Sequence, residues 1–251
     1  MKKLFSLFLM MIIASAFIFA DVIIESSSDY ETEEQDDDSN SGFIISMADT
    51  YCLLSNRLNT FKPNSGYFGT NGFDIQLGSF KSDEDGLIDI ISDSLFGFRS
   101  GKASTQGNYN WNYYGNTFYA NSDGDFWSIY SKNDVGIQLN LFVISIAGTI
   151  GVRGGYDMMH QTGYSSSNVK KMKINESTFF VDFVTGSYVS LNLGKSLKLL
   201  FDFDIGGLPL LTVKFDTVET DGIKRTTKPV FEWFGTMDND LNVAVSAIFF
   251  F

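Results

Sequence analysis

The chain is poor in the residues that brace small exported domains or build common active sites. Its 251 residues hold one cysteine, Cys52, so no internal disulfide can form. A disulfide framework is thereby excluded, and burial or a membrane must supply stability. A lone thiol is more often a small buried apolar residue than a reactive one, and Cys52 receives no role. Proline occurs three times, which leaves few forced breaks in extended chain. The single histidine, His160, stands three residues after Asp157. At period two the pair falls on opposite faces, which removes the usual acid–base partnership. There is no phosphate-binding glycine loop, no dinucleotide fingerprint and no Cys/His metal cluster. No catalytic, cofactor-binding or metal-binding residue is therefore assigned, and the chain is not read as an enzyme.

Long apolar runs are equally scarce. Only Leu4 to Ala20 is continuous enough to notice, and it follows Lys2 and Lys3. A positive start, an apolar middle and small residues at Ala14, Ser15 and Ala16 predict a signal peptide over 1–20. Cleavage is expected after Ala16 or after Ala20. Residues 21–41 are acidic, with Glu33, Glu34, Asp36, Asp37 and Asp38 and no Lys or Arg. Such a tract buries too little apolar surface to offset its ordering entropy, and a disordered tether is expected. The formal net charge of -12 opposes any general affinity for nucleic acid.

What the chain has is alternation. Aromatic residues make up 16% and glycine numbers 23, a composition suited to many strands. At the end, Leu241, Val243, Val245, Ala247, Phe249 and Phe251 alternate with Asn242, Ala244 and Ser246. Val135, Ile137, Leu139 and Leu141 stand against Gly136, Gln138 and Asn140. Leu197, Leu199, Phe201 and Phe203 stand against Lys198, Asp202 and Asp204. Strands are predicted near 67–80, 86–99, 108–120, 134–145, 148–160, 177–193, 196–206, 209–220, 223–234 and 241–251. That makes about ten, with eight as the alternative. Segment 43–54 reads as an eleventh strand, a plug or a short helix, and the phase of 86–99 is mixed.

The apolar-alternating strand that ends on Phe249 and Phe251 resembles the C-terminal signature of bacterial outer-membrane β-barrels. The wider architecture is similar to small barrels such as the transmembrane domain of outer-membrane protein A and outer-membrane protein W. The resemblance covers 241–251 and implies recognition by the barrel-assembly machinery, outer-membrane localisation and outer-membrane lipid as the surroundings. The fold expected is an all-β, antiparallel, up-and-down transmembrane barrel over 42–251. In such a barrel apolar residues face lipid and charges face the lumen. The inward charges expected are Arg153, Asp157, Asp182, Lys198, Asp202, Asp204, Lys214, Asp216 and Glu232. An acidic excess among them predicts a cation preference for any pore.

Short links are expected at Asp221-Gly222, Gly194-Lys195 and Ile146-Ala147, all on one side of the membrane, with further links near Gly206-Gly207 and 235–240. Long polar loops are expected at 121–133 and 161–175, with a basic cluster at Lys170, Lys171 and Lys173. Interfacial aromatic girdles are expected from Tyr109, Trp111, Tyr113, Trp127, Tyr130, Tyr156, Phe231 and Trp233. Three functions fit this reading: a narrow porin-like conduit for small solutes, a structural or adhesive surface protein with an unknown ligand, or a soluble periplasmic β-protein.

Overall fold

The computed structural model describes residues 39–52, 63–83, 86–111, 116–165, 171–194, 196–220, 222–226, 229–234 and 240–250. The expected signal peptide and the acidic residues up to Asp38 lie outside this set. The described residues are almost entirely strand: β1 (Ser39–Cys52), β2 (Pro63–Asp83), β3 (Ile88–Trp111), β4 (Asn116–Leu141), β5 (Ile144–Ser165), β6 (Lys171–Asn192), β7 (Leu197–Thr220), β8 (Ile223–Thr226), β9 (Val230–Trp233) and β10 (Asp240–Phe250). β1 to β7 pair antiparallel in sequence order, β8 and β9 each pair with β7, and β10 pairs with both β7 and β1, so the sheet closes. β8, β9 and β10 follow one another down the same edge of β7, so these three pieces share one position in the wall. The result is a barrel of eight staves.

Several expectations change. Of segment 43–54, residues 43–52 are strand, neither plug nor helix: β1 runs from Ser39 to Cys52 and is the stave that meets β10. Ser39, Asn40 and Ser41, expected in the tether, already belong to it. Residues 121–133 are not a loop but the middle of β4, paired with β3 throughout. Most of 161–175 is likewise the adjoining ends of β5 and β6. Residues 121–125 and 161–163 carry no apolar side chain, so the alternation fades there while the backbone ladder continues. Gly206-Gly207 is no turn either. It lies inside β7, where the pairing with β6 slips between Phe183 and Thr185 next to Pro209, which has no N–H to give the ladder. The hairpin expected at Ile146-Ala147 falls at Phe142-Val143 instead. Of the link expected at Asp221-Gly222, Asp221 lies outside the described residues, while Gly222, at φ 75, sits in the turn between β7 and β8, at the opposite end from Gly194. One end of the barrel thus carries the β2–β3, β4–β5 and β6–β7 turns together with the start of β1 and the end of β10.

Register fixes the geometry. Aligned pairs lead from Ile88 to Leu139, Ile146, Val189, Phe201, Val245, Met47, Ile75 and back to β3 at Phe98. Returning to a different residue on the same strand means that the staves are tilted to the barrel axis, as closure requires. Every residue on that row is apolar, and all but Ile75 are exposed on the outer surface. The adjacent row runs Asp89, Gln138, Ala147, Tyr188, Asp202, Ala244, Ala48, Asp74 and Arg99. Apart from half-buried Asp202 these are buried, and they are charged, polar or small. Neighbouring rows therefore have opposite character, because side chains alternate across a strand.

Candidate functional site: a filled, charged interior

The inner face divides into two layers. Toward the short turns the inner face holds an apolar cluster of Ile44, Phe80, Ile91, Leu95, Ala147, Tyr188, Leu200 and Ile248, with the buried polar side chains of Asp89, Ser145, Ser190 and Lys198 beside it. This explains the mixed phase of 86–99: Ile88 and Ile90 face out, whereas Ile91 and Leu95 enter the inner layer. Lys198 is buried against it, with Nζ 5.4 Å from the centre of the Phe80 ring and 5.7 Å from that of Phe250. A cation over aromatic faces keeps part of the stabilisation that it loses with its water. Gln138 Oε1 accepts from Tyr188 Oη at 2.8 Å and from Lys198 Nζ at 3.4 Å.

Above this layer sit paired charges. Lys132 Nζ bridges Asp134 and Asp204, both at 2.7 Å, and the contact to Asp204 spans the barrel from β4 to β7. Arg153 on β5 reaches Asp182 on β6 at 3.3 Å. Arg99 meets Asp74 at 3.4 Å, Tyr130 Oη donates to the same carboxylate, and Gln76 donates to Tyr130 Oη at 2.8 Å. The guanidiniums of Arg99 and Arg153 lie 5.7 and 5.9 Å from the Tyr130 ring centre. Glycines make room for these groups. A Cβ on Gly151 would fall 2.0 Å from Asp134 Oδ1, and one on Gly186 would fall 2.4 Å from Asp204 Oδ1. The interior is thus crossed by side chains rather than lined by them.

Of the charges expected inside, Arg153, Asp157, Asp182, Lys198, Asp204 and Lys214 are buried on the inner face, and Asp202 is half-buried there. Glu232 on β9 pairs with Lys214 at 3.1 Å but stays exposed. Asp216 lies on β7 opposite Glu176. The residues that hold the network together, Asp74, Arg99, Tyr130, Lys132 and Asp134, were not expected. Tyr130, Lys132 and Asp134 alternate with Ile129, Ser131 and Asn133, but that signal lay partly within a presumed loop. Tyr130 is consequently a buried member of the network and not part of a girdle.

Outside, Trp127, Tyr156, Phe179 and Phe215 form a continuous aromatic row, with ring centres 5.5, 4.7 and 5.9 Å apart in turn. Exposed Phe231 and Trp233 on β9 continue it, since Phe231 aligns with Val213 and Val213 with Phe179. The side chains of Tyr109 and Trp111, and the whole of Tyr113, lie outside the described residues. A polar belt follows further from the short turns. Lys102 pairs with Asp125 there, and His160 meets Asn175. The hydrogen bond and charge of Lys102 hold the Asp125 carboxyl below its ordinary range. Asp157 points inward and His160 outward, so the two do not form a dyad. Phe249 faces outward, while Phe251 lies outside the described residues. Among the described residues no group of His, Cys, Asp or Glu is arranged to hold a metal ion.

An apolar outer band, an aromatic row at its edge and a charged inner face define the architecture of a transmembrane β-barrel. No family model matches the sequence, and no curated protein matches it either. Solved structures similar to the chain include a major outer membrane protein from Thermus thermophilus, at 14% identity and a TM-score of 0.47, covering 84% of this chain and 99% of that one. The attachment invasion locus protein of Yersinia pestis is similar at 14% identity and a TM-score of 0.37, covering 85% and 99%. The outer membrane protease OmpT of Escherichia coli is similar at 6% identity and a TM-score of 0.33, covering 88% and 99%.

Proposed function

We propose that the chain is an outer-membrane barrel whose task is to hold a rigid surface structure rather than to conduct solutes. The observation that carries this reading is the filled interior: the apolar layer at one end and the cross-barrel Lys132 pairs above it leave side chains where a conduit needs water. An eight-stave barrel is narrow enough for such filling. Beyond the polar belt, β3 runs on from Lys102 to Trp111 and β4 comes back from Asn116 to Asp125. At ordinary strand rise that hairpin projects about 30 Å along its own direction. β5 and β6 extend to a lesser degree. Paired strands of this kind present residues to the exterior on a stiff support, which suits recognition.

The test has two parts on one preparation of the full chain reconstituted in planar bilayers and in vesicles. No steady single-channel current is expected, and a variant with the β3–β4 extension shortened is expected to stay folded while losing adhesion to cells or matrix. A steady, ion-selective current from the intact chain would overturn the scaffold reading in favour of a conduit.

A further inference from the structure

The β4–β5 turn is Leu141-Phe142-Val143-Ile144, with no polar residue in it. Phe142 occupies the first central position at φ 59 and is fully exposed. Hairpins place glycine or asparagine where φ is positive, because a Cβ is disfavoured there. A bulky residue in that conformation, with its ring held away from the protein, stabilises nothing within the barrel. Its neighbours share the character. Leu87 before β3, Val143 and Leu193 after β6 are all exposed. They are linked along the rim: Asn140 N donates to Leu87 O and Asn192 N to Val143 O, both at 2.8 Å. Just inside this rim, Ile88, Ile90, Leu141, Ile144 and Leu191 are exposed members of the outer apolar band. At the β4–β5 turn the band therefore runs without a polar break onto the turn itself. At the other end it stops at the aromatic row and the polar belt. The β1–β2 side differs as well, with Ser41, Lys81 and Asp83 exposed at its short-turn end.

We infer that the rim formed by Leu87, Phe142, Val143 and Leu193 is immersed in the inner leaflet of the membrane, with Phe142 as an inserted anchor. The occupant of this surface is lipid, because these four exposed apolar residues are continuous with the lipid-facing band, with charge confined in sequence to Asp83, Glu84 and Asp85 before Leu87 and to Lys195 after Leu193. This rests on the transmembrane reading above. An exposed apolar patch in water would instead be an association hazard.

The test uses nitroxide labels at single cysteines in a chain carrying Cys52→Ser, folded into phospholipid vesicles. Labels replace Phe142, Ile150 in the middle of the outer band, and Lys224 beyond the polar belt. Relaxation by oxygen and by a water-soluble nickel chelate reports immersion. The label at 142 is expected to resemble that at 150, oxygen-accessible and shielded from nickel. A label at 142 that relaxes like the one at 224, while 150 stays shielded, overturns the anchor alone. Nickel access at 150 as well overturns the transmembrane reading itself. In parallel, Phe142→Asn relieves the backbone at positive φ but removes the ring. Binding of the unfolded chain to vesicles is expected to fall about tenfold or more, the scale of losing one buried aromatic side chain. Vesicle binding equal to that of the parent chain would overturn the inference.

Discussion

Two adjacent rows of the same barrel wall, one residue out of step, could hardly differ more. The outer row from Ile88 round to Phe98 is wholly apolar, and the inner row from Asp89 round to Arg99 holds charges, Gln138, Tyr188 and alanines. A water-soluble barrel places these characters the other way round. The difference teaches that the two faces are stabilised by unlike means. The outer face needs only a hydrocarbon surrounding, so its residues are interchangeable among apolar types. The inner face needs particular partners, because a buried charge without one is costly.

The contrast predicts the ranking of mutational effects. Lys132→Met strands Asp134 and Asp204 inside the barrel and is expected to cost about 3–5 kcal/mol of folding stability in vesicles, read by denaturant titration. Replacing all three with apolar or amide residues together is expected to recover most of that loss. If the triple variant is as unstable as the single one, the inner face is not a set of paired charges. Next comes Ile150→Arg on the outer face, expected to cost about 2–4 kcal/mol in bilayers. An unchanged stability would mean that Ile150 does not meet hydrocarbon. Tyr130→Phe removes the donor to Asp74 and the acceptor for Gln76, with a loss of about 1–2 kcal/mol expected by the same titration.

The smallest effect is expected at the surface pair of Lys102 and Asp125. The folded carboxyl titrates below its unfolded value, so the pair contributes in full above about pH 4, the unfolded aspartate range. That contribution fades as pH falls through the folded value. The stability gap between the parent chain and Lys102→Met should therefore be slight at pH 7 and vanish in acid. A gap that persists at pH 2 would assign Lys102 a packing role instead.

The barrel class, its antiparallel order and the alternation of 134–141, 197–204 and 241–249 were legible because each of these stretches lies between lipid and a packed interior. The hydrophobic signal depends on that double environment. Where β3 and β4 leave the apolar band, Asn121 to Asp125 offer no apolar residue to alternate, so the stretch that they open, 121–133, read as a loop. The Phe142-Val143 turn was hidden for the converse reason: it contains none of the residues that mark turns in water. The network around Tyr130 and Lys132 needed three dimensions, since Asp204 lies far along the chain and meets Lys132 only across the lumen.

The pairing of β1 with β10, which aligns Gly42 with Phe250, has a consequence in time. These residues stand at opposite ends of the described chain, so the seam joins the two staves most distant in sequence. A contact of such sequence separation carries a large closure entropy and slows folding. Until it forms, β1 offers an unpaired edge of the kind that recruits strands from other chains. Pairing of β10 with β1 removes that edge, so one short stave separates a closed barrel from a sheet open to aggregation.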